Sequence, residues 1–168
     1  AIGKRDYAVF LLAARLGLRA SDIQALTLDD INWERCRLDL VQRKTQRGLT
    51  LPLPKDVGEA IIDYLLDARP SSSYREVFLR CYAPFGPLTS ARTFNYEVRR
   101  YRRLANLPQM PGMGLHSLRH TLATRLLEKN VSVQDTAAIL GHGGIESTRA
   151  YLRVSLPTLR QAALEPDE

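Results

Sequence analysis

Hydrophobic and polar positions follow two different periods along this chain, and the change of period divides it. Residues 6–16 hold Ala8, Val9, Phe10, Leu11, Leu12, Ala13, Ala14 and Leu16. A run of that length predicts a buried helix rather than a strand, with Gly17 as its C-terminal stop. Ser21 is placed to cap a short second helix through Leu26. From Ile31 onward the period drops to two. Residues 37–42 read Arg-Leu-Asp-Leu-Val-Gln, residues 48–53 read Gly-Leu-Thr-Leu-Pro-Leu, and Lys44-Thr45-Gln46-Arg47-Gly48 links them. Two alternating segments joined by such a link predict a hairpin. Pro52 and Pro54 suit an edge or a strand end, because proline donates nothing to a ladder. A further short strand is expected around Asn32 and Trp33.

The remainder returns to helical spacing. Pro54-Lys55-Asp56 opens a helix ending near Ala68, residues 69–73 form a loop, 77–80 a short extended piece, and Pro84 to Pro87 a turn. A helix over 89–105 carries Phe94, Val98 and Tyr101 at i, i+4 and i+7. Residues 108–114 are loop. A helix follows over 114–129, with shorter ones over 132–140 and 145–152 and a last one over 156–164. Leu115, Leu118, Leu122 and Leu126 form the expected core stripe of the first of these. The predicted class is mainly α with a small antiparallel β-sheet, an α+β domain.

Composition narrows the function classes. At 168 residues the chain fits one domain with a sizeable core. No apolar run approaches the roughly 20 residues of a membrane span. The N-terminus lacks a signal-peptide pattern and does not begin with Met, so a fragment of a longer protein is expected. Cys36 and Cys81 are too few and too far apart for a metal knuckle or a disulfide framework; they are expected to be packing residues of a cytosolic protein. The net charge of +6, dominated by arginine, favours a polyanionic partner, with nucleic acid first.

Several residues bear on chemistry, and each has an ordinary reading beside the chemical one. His116 and Arg119 lie one turn apart on the flank of the leucine stripe, followed by His120; they suit an anion pocket or a solvated basic helix edge. His142, in Gly141-His142-Gly143-Gly144, is presented from a tight turn or simply caps and packs. Tyr151 lies nine residues later on a short helix, where a tyrosine ordinarily packs. Arg19 and Asp22 read as a helix-start pair. Lys44 in the hairpin turn reads as a solubilising lysine.

Their order along the chain is more specific than any one of them. Gly17-Leu18-Arg19-Ala20-Ser21-Asp22 is followed by Lys44 in a hairpin and by Leu115-His116-Ser117-Leu118-Arg119-His120-Thr121-Leu122-Ala123-Thr124. Leu140-Gly141-His142 and then Tyr151 complete the series. This order closely resembles the tyrosine recombinase family, which includes phage integrases and Xer-type chromosome-dimer resolvases, from Asp6 to about Leu159. The resemblance implies that Arg19 and Arg119 clamp a scissile phosphate. His116 and His142 would donate hydrogen bonds to it or move protons. Lys44 would act as general acid toward the leaving 5′ oxygen, and Tyr151 would be the nucleophile. Asp22 would orient Arg19, and His120 would support the site without reacting. It also implies a homo-tetramer on paired double-stranded DNA sites, monomeric or weakly associated without DNA. An N-terminal DNA-clamping domain is usual in the family and has no counterpart in residues 1–168.

The chemistry agrees with those residue types. A phosphodiester attacked by a phenol passes through a more negative, five-coordinate state, which two planar guanidiniums suit. A phenol with a pKa near 10 needs a base nearby, for which His116 is the candidate. The leaving alkoxide needs an acid, which a lysine on a hairpin can bring. A phosphotyrosyl ester conserves the bond energy, so neither ATP nor a metal or other cofactor is expected. Arg92, Arg99, Arg100, Arg102 and Arg103 form a basic helix, and Arg43 and Arg47 flank Lys44; these are the candidate DNA contacts, with a solvated basic surface as the alternative. Leu156, Leu159 and Leu164 offer a helix face that would pack on the same molecule or be donated to a neighbour. Two competing functions remain: a non-catalytic DNA-binding module of the same fold, and a type IB topoisomerase-like enzyme.

Overall fold

The first helix, α1 (Ile2–Arg15), is the centre of the molecule. It is buried along Ala8, Val9, Leu12 and Ala13 and packs against α3 (Lys55–Asp67) on one side and α5 (Leu115–Glu128) on another. The structure is a computed structural model that describes residues 2–108 and 112–141. Among them, no helix is long and apolar enough to cross a membrane. The element order is α1, α2 (Ala20–Ala25), a 3-10 turn (Leu28–Asp30), β1 (Ile31–Asn32), β2 (Arg37–Val41), β3 (Gly48–Pro52), α3, α4 (Arg92–Leu104), α5 and α6 (Val133–Ile139). This is the mainly helical α+β arrangement that the periodicities predict. The predicted helices over 145–152 and 156–164, with Leu156, Leu159 and Leu164, lie outside the described residues.

The three strands form one antiparallel sheet in the order β1-β2-β3, with Leu38 opposite Leu51 and Leu40 opposite Leu49. Leu38, Leu40 and Leu51 turn toward the core while Arg37 and Asp39 point away, the alternation expected of a half-buried sheet. Pro52 lies on β3, an edge strand, where its missing N–H costs no ladder bond. Pro54 precedes the first residue of α3 as its N-cap.

The segment 76–88 contributes more core than a loop usually does. Val77, Phe78 and Leu79 are fully buried, Tyr64 stacks on Phe78 at 5.5 Å, and the Leu79 N–H donates to the Tyr64 hydroxyl at 3.1 Å. Isolated bridges, Thr27 to Glu76 and Leu79 to Pro87, hold this piece in extended form, and the Arg69 guanidinium donates to the Glu76 and Val77 carbonyls at 2.9 and 3.1 Å.

Three sequence expectations are corrected, and one feature was not expected. Ser21 does not cap α2: the N-cap is Arg19, in extended conformation (φ −73°, ψ 150°), and its carbonyl accepts the N–H groups of Asp22 and Ile23. Cys36 is not a packing residue; it is exposed in the β1–β2 turn at φ 47°, and Cys81 is half-buried. On α5 the fully buried line is Leu115, Arg119 and Ala123 at i, i+4 and i+8, while Leu118, Leu122 and Leu126 are half-buried. Arg119 therefore sits on the inward face and not on its flank. Finally, Arg5, Asp6 and Glu97 form an unforeseen buried charge cluster: Arg5 pairs with Asp6 at 2.7 Å and approaches Glu97 at 3.8 Å.

Candidate active site

Arg19 owes its position to a glycine turn. α1 ends in i→i+4 bonds from Leu16 and Gly17, and the Leu18 N–H reaches back to the Leu12 carbonyl. Gly17 has φ +65°, the left-handed conformation that closes such an end and that side chains with a Cβ resist. The next residue, Leu18, is buried, which anchors the chain before Arg19 begins α2. The Arg19 guanidinium then reaches the Gly141 carbonyl at 3.3 Å and lies 3.7 Å from the Asp22 carboxylate.

Arg119 arrives from α5. The N-terminus of that helix is held by Asn95 of α4, whose Oδ1 accepts the Leu115 N–H at 2.9 Å. One helical turn on, Arg119 is buried to 1% exposure, and its guanidinium donates to the Leu140 carbonyl at 2.8 Å and to the Gly17 carbonyl. A guanidinium this deep is tolerable because its donors meet carbonyls that two helix ends leave unpaired. Arg19 and Arg119, one hundred residues apart, thus close onto two consecutive carbonyls, 141 and 140, at the end of α6.

The remaining described candidates gather around them. His116 lies one turn before Arg119. The His116 side chain is exposed at the surface, and its pKa is lowered, first by desolvation and then by the positive charges of Arg119, His120, Arg19 and Lys44, which favours the neutral imidazole. Lys44 is exposed in the hairpin turn, whose base is closed by Gln42 N–H to the Arg47 carbonyl at 2.9 Å and Gln46 N–H to the Gln42 carbonyl at 2.8 Å. Asp22 is buried and accepts the Arg43 backbone N–H at 2.9 Å, tying the hairpin to α2. His120 is half-buried beside this group. His142 and Tyr151 lie outside the described residues.

The expected DNA-contacting arginines do not form one face. Arg43 and Arg47 flank Lys44, both exposed, and Arg92, Arg99 and Arg103 are exposed on α4 around Tyr96. Arg100, in contrast, pairs with the buried Glu97 at 3.0 Å and stacks on Tyr101, and Arg102 donates to the Pro108 carbonyl. Sequence reasoning also passed over Gln42, which is buried at the end of β2. The signal was available: Leu38, Leu40 and Gln42 follow the strand period onto one inward face.

Chemically, the site offers two guanidiniums, an imidazole whose neutral form is favoured, and an exposed ammonium. That set suits a phosphate ester rather than a carbonyl or a sugar.

The sequence matches the phage integrase family over residues 1–156. It is 43% identical over 163 residues to y4rA of Sinorhizobium fredii, whose name describes an integrase/recombinase. The match covers 97% of this chain but only 39% of y4rA, so the chain spans well under half of that relative. A crystal structure of XerA recombinase superposes with a TM-score of 0.79 at 21% identity, over 98% of this chain and 60% of that one. The XerH site-specific recombinase bound to palindromic difH substrate gives a TM-score of 0.77 at 20% identity, over 96% and 46% respectively. At those identities the two structures establish the fold.

Proposed function

Since this chain belongs to the phage integrase family, we propose that residues 1–168 are the catalytic domain of a site-specific tyrosine recombinase. It would cut and rejoin double-stranded DNA through a 3′-phosphotyrosyl link at Tyr151. The observation that carries the reading is the convergence of Arg19 and Arg119 on the adjacent carbonyls of Gly141 and Leu140, with Lys44 and His116 within electrostatic reach.

The roles follow from what each group can do. Arg19 and Arg119 hold the non-bridging oxygens of the scissile phosphate and take up the charge that grows as the fifth bond forms; such preorganised donors typically supply about 100- to 1000-fold each. His116, whose neutral form is favoured, accepts or relays the phenolic proton as Tyr151 attacks phosphorus. His142 adds a hydrogen bond to the phosphate. Lys44 protonates the departing 5′ oxygen, and the reverse sequence reseals the strand with no external energy source. Asp22 keeps Arg19 oriented, and His120 supports the pocket.

Arg43, Arg47, Arg92, Arg99 and Arg103 are the outward cations suited to phosphates flanking the site. Arg100 and Arg102 hold their own helix and contribute less. We assign the assembly as a homo-tetramer on paired sites that is monomeric or weakly associated without DNA, acting on nucleoid DNA in the cytoplasm.

The test is to trap and sequence DNA covalently attached to the protein in its full natural length. A duplex carrying the captured sequence, with a nick beyond the cleavage point, should accumulate an adduct that disappears in Tyr151→Phe. Binding without any adduct would favour a non-catalytic DNA-binding module. Relaxation of supercoiled plasmid lacking that sequence would favour a type IB topoisomerase-like enzyme.

A further inference from the structure

Gln42 is where the hairpin, Arg19 and the end of α6 meet. It extends the inward face of β2 past Leu38 and Leu40 and is 1% exposed. Its amide has two orientations. With the nitrogen toward the Leu140 carbonyl at 3.4 Å, the oxygen is pressed against the Gly141 carbonyl, two acceptors face to face. Turned over, the nitrogen donates to the Gly141 carbonyl at 2.6 Å and to the Thr45 hydroxyl at 2.8 Å, and the oxygen accepts Arg19 Nη1 at 2.8 Å. The second orientation gives up only the long bond to the Leu140 carbonyl, which Arg119 still satisfies, and is the one the surroundings select.

The approach is close on both sides. Gly141 has φ +60°, and a Cβ there would collide with the Gln42 amide. Gly141 therefore admits Gln42 as well as the backbone turn.

We propose that Gln42 is a positioning residue for DNA cleavage, acting through Arg19. The proposal rests on the recombinase reading. The other anchors of Arg19, Asp22 at 3.7 Å and Gly141 at 3.3 Å, are long and leave the guanidinium plane free to roll. The short bond to the Gln42 oxygen fixes that plane. A neutral amide does this without cancelling the positive charge meant for the phosphate, which a carboxylate at 2.8 Å would do. The same amide pins Thr45, so the base of the turn is fixed while Lys44 at its tip stays exposed.

The test uses the protein in its full natural length and the nicked duplex carrying its captured site, with single-turnover cleavage at saturating protein and DNA affinity by titration. Gln42→Met, similar in length without hydrogen bonds, should cleave at least about tenfold more slowly while its Kd moves less than about threefold. In an Arg19→Lys background the same substitution should add little further loss, because both act through one guanidinium. Gln42→Glu keeps an acceptor for Arg19 but cancels its charge, so it should not recover the rate; Gln42→Leu supplies the same comparison if the methionine variant does not fold. Cleavage by Gln42→Met at the unsubstituted rate, or losses that multiply with Arg19→Lys, would overturn the proposal. Unsubstituted protein that binds the duplex but forms no adduct removes the recombinase reading itself, and the proposal with it.

Discussion

The carboxylate of Asp22 accepts the backbone N–H of Arg43 at 2.9 Å, joining the start of α2 to the hairpin turn twenty-one residues later. The same carboxylate faces Arg19 at 3.7 Å. One buried acid thus sets the hairpin that carries Lys44 against the arginine beside it.

Asp22→Ala should therefore destabilise by about 3 kcal/mol, since it strands a buried N–H and removes the counter-charge of Arg19. Asp22→Asn, which keeps an acceptor for the Arg43 N–H, should recover roughly half of that. Urea unfolding of both variants checks the order; equal losses would assign the whole effect to the charge.

Substitutions of the two arginines should separate by stability although each is expected to slow cleavage. Arg119→Ala empties a buried site and strands the Gly17 and Leu140 carbonyls, so a loss of about 2–5 kcal/mol is expected. Arg19 retains some exposure, and Arg19→Ala should cost less. Each should lower adduct formation by at least about 100-fold. Thermal melts paired with trapping assays distinguish the two losses.

His116 gives a pH dependence of known sign. In the unfolded chain its imidazole protonates near about 6.5, and in the folded protein lower, chiefly through desolvation. Above the unfolded value both states are neutral there and the contribution is intact. As pH falls below it the unfolded chain gains the proton first, so stability declines until the folded pKa is passed. His116→Asn should flatten that part of the pH–stability curve relative to the unsubstituted protein, and the NMR titration of His116 should have its midpoint below 6.5.

Gly17→Ala combines a left-handed backbone with a collision. A Cβ there would lie 2.5 Å from Leu140 Cδ2 and 3.1 Å from Leu122 Cδ2. Both neighbours must shift, and Leu140 is the residue whose carbonyl holds Arg119. A loss of about 2–4 kcal/mol is expected, measured by chemical denaturation.

The arginines of α4 should divide in their effect on DNA binding. Removing Arg92, Arg99 or Arg103 should each reduce the slope of log K against log salt by about 0.9, the value for one phosphate contact. Arg100→Ala should change it less, because its guanidinium is engaged by Glu97.

The sequence by itself determined the helix and strand order, the hairpin, the glycine stop at 17 and the order of reactive residue types. These depend on local periodicity and on backbone conformations that individual residues permit. Tertiary structure decided which polar groups go inside. Arg119 reads as a flank residue on its helix, yet it is buried, because the ends of α1 and α6 meet there and present carbonyls to its guanidinium. Gln42 and Asp22 are likewise set by partners 99 and 21 residues away, Gly141 and Arg43. No pattern within a single segment records such partners: burial of a polar group is favourable only where distant segments complete its hydrogen bonds.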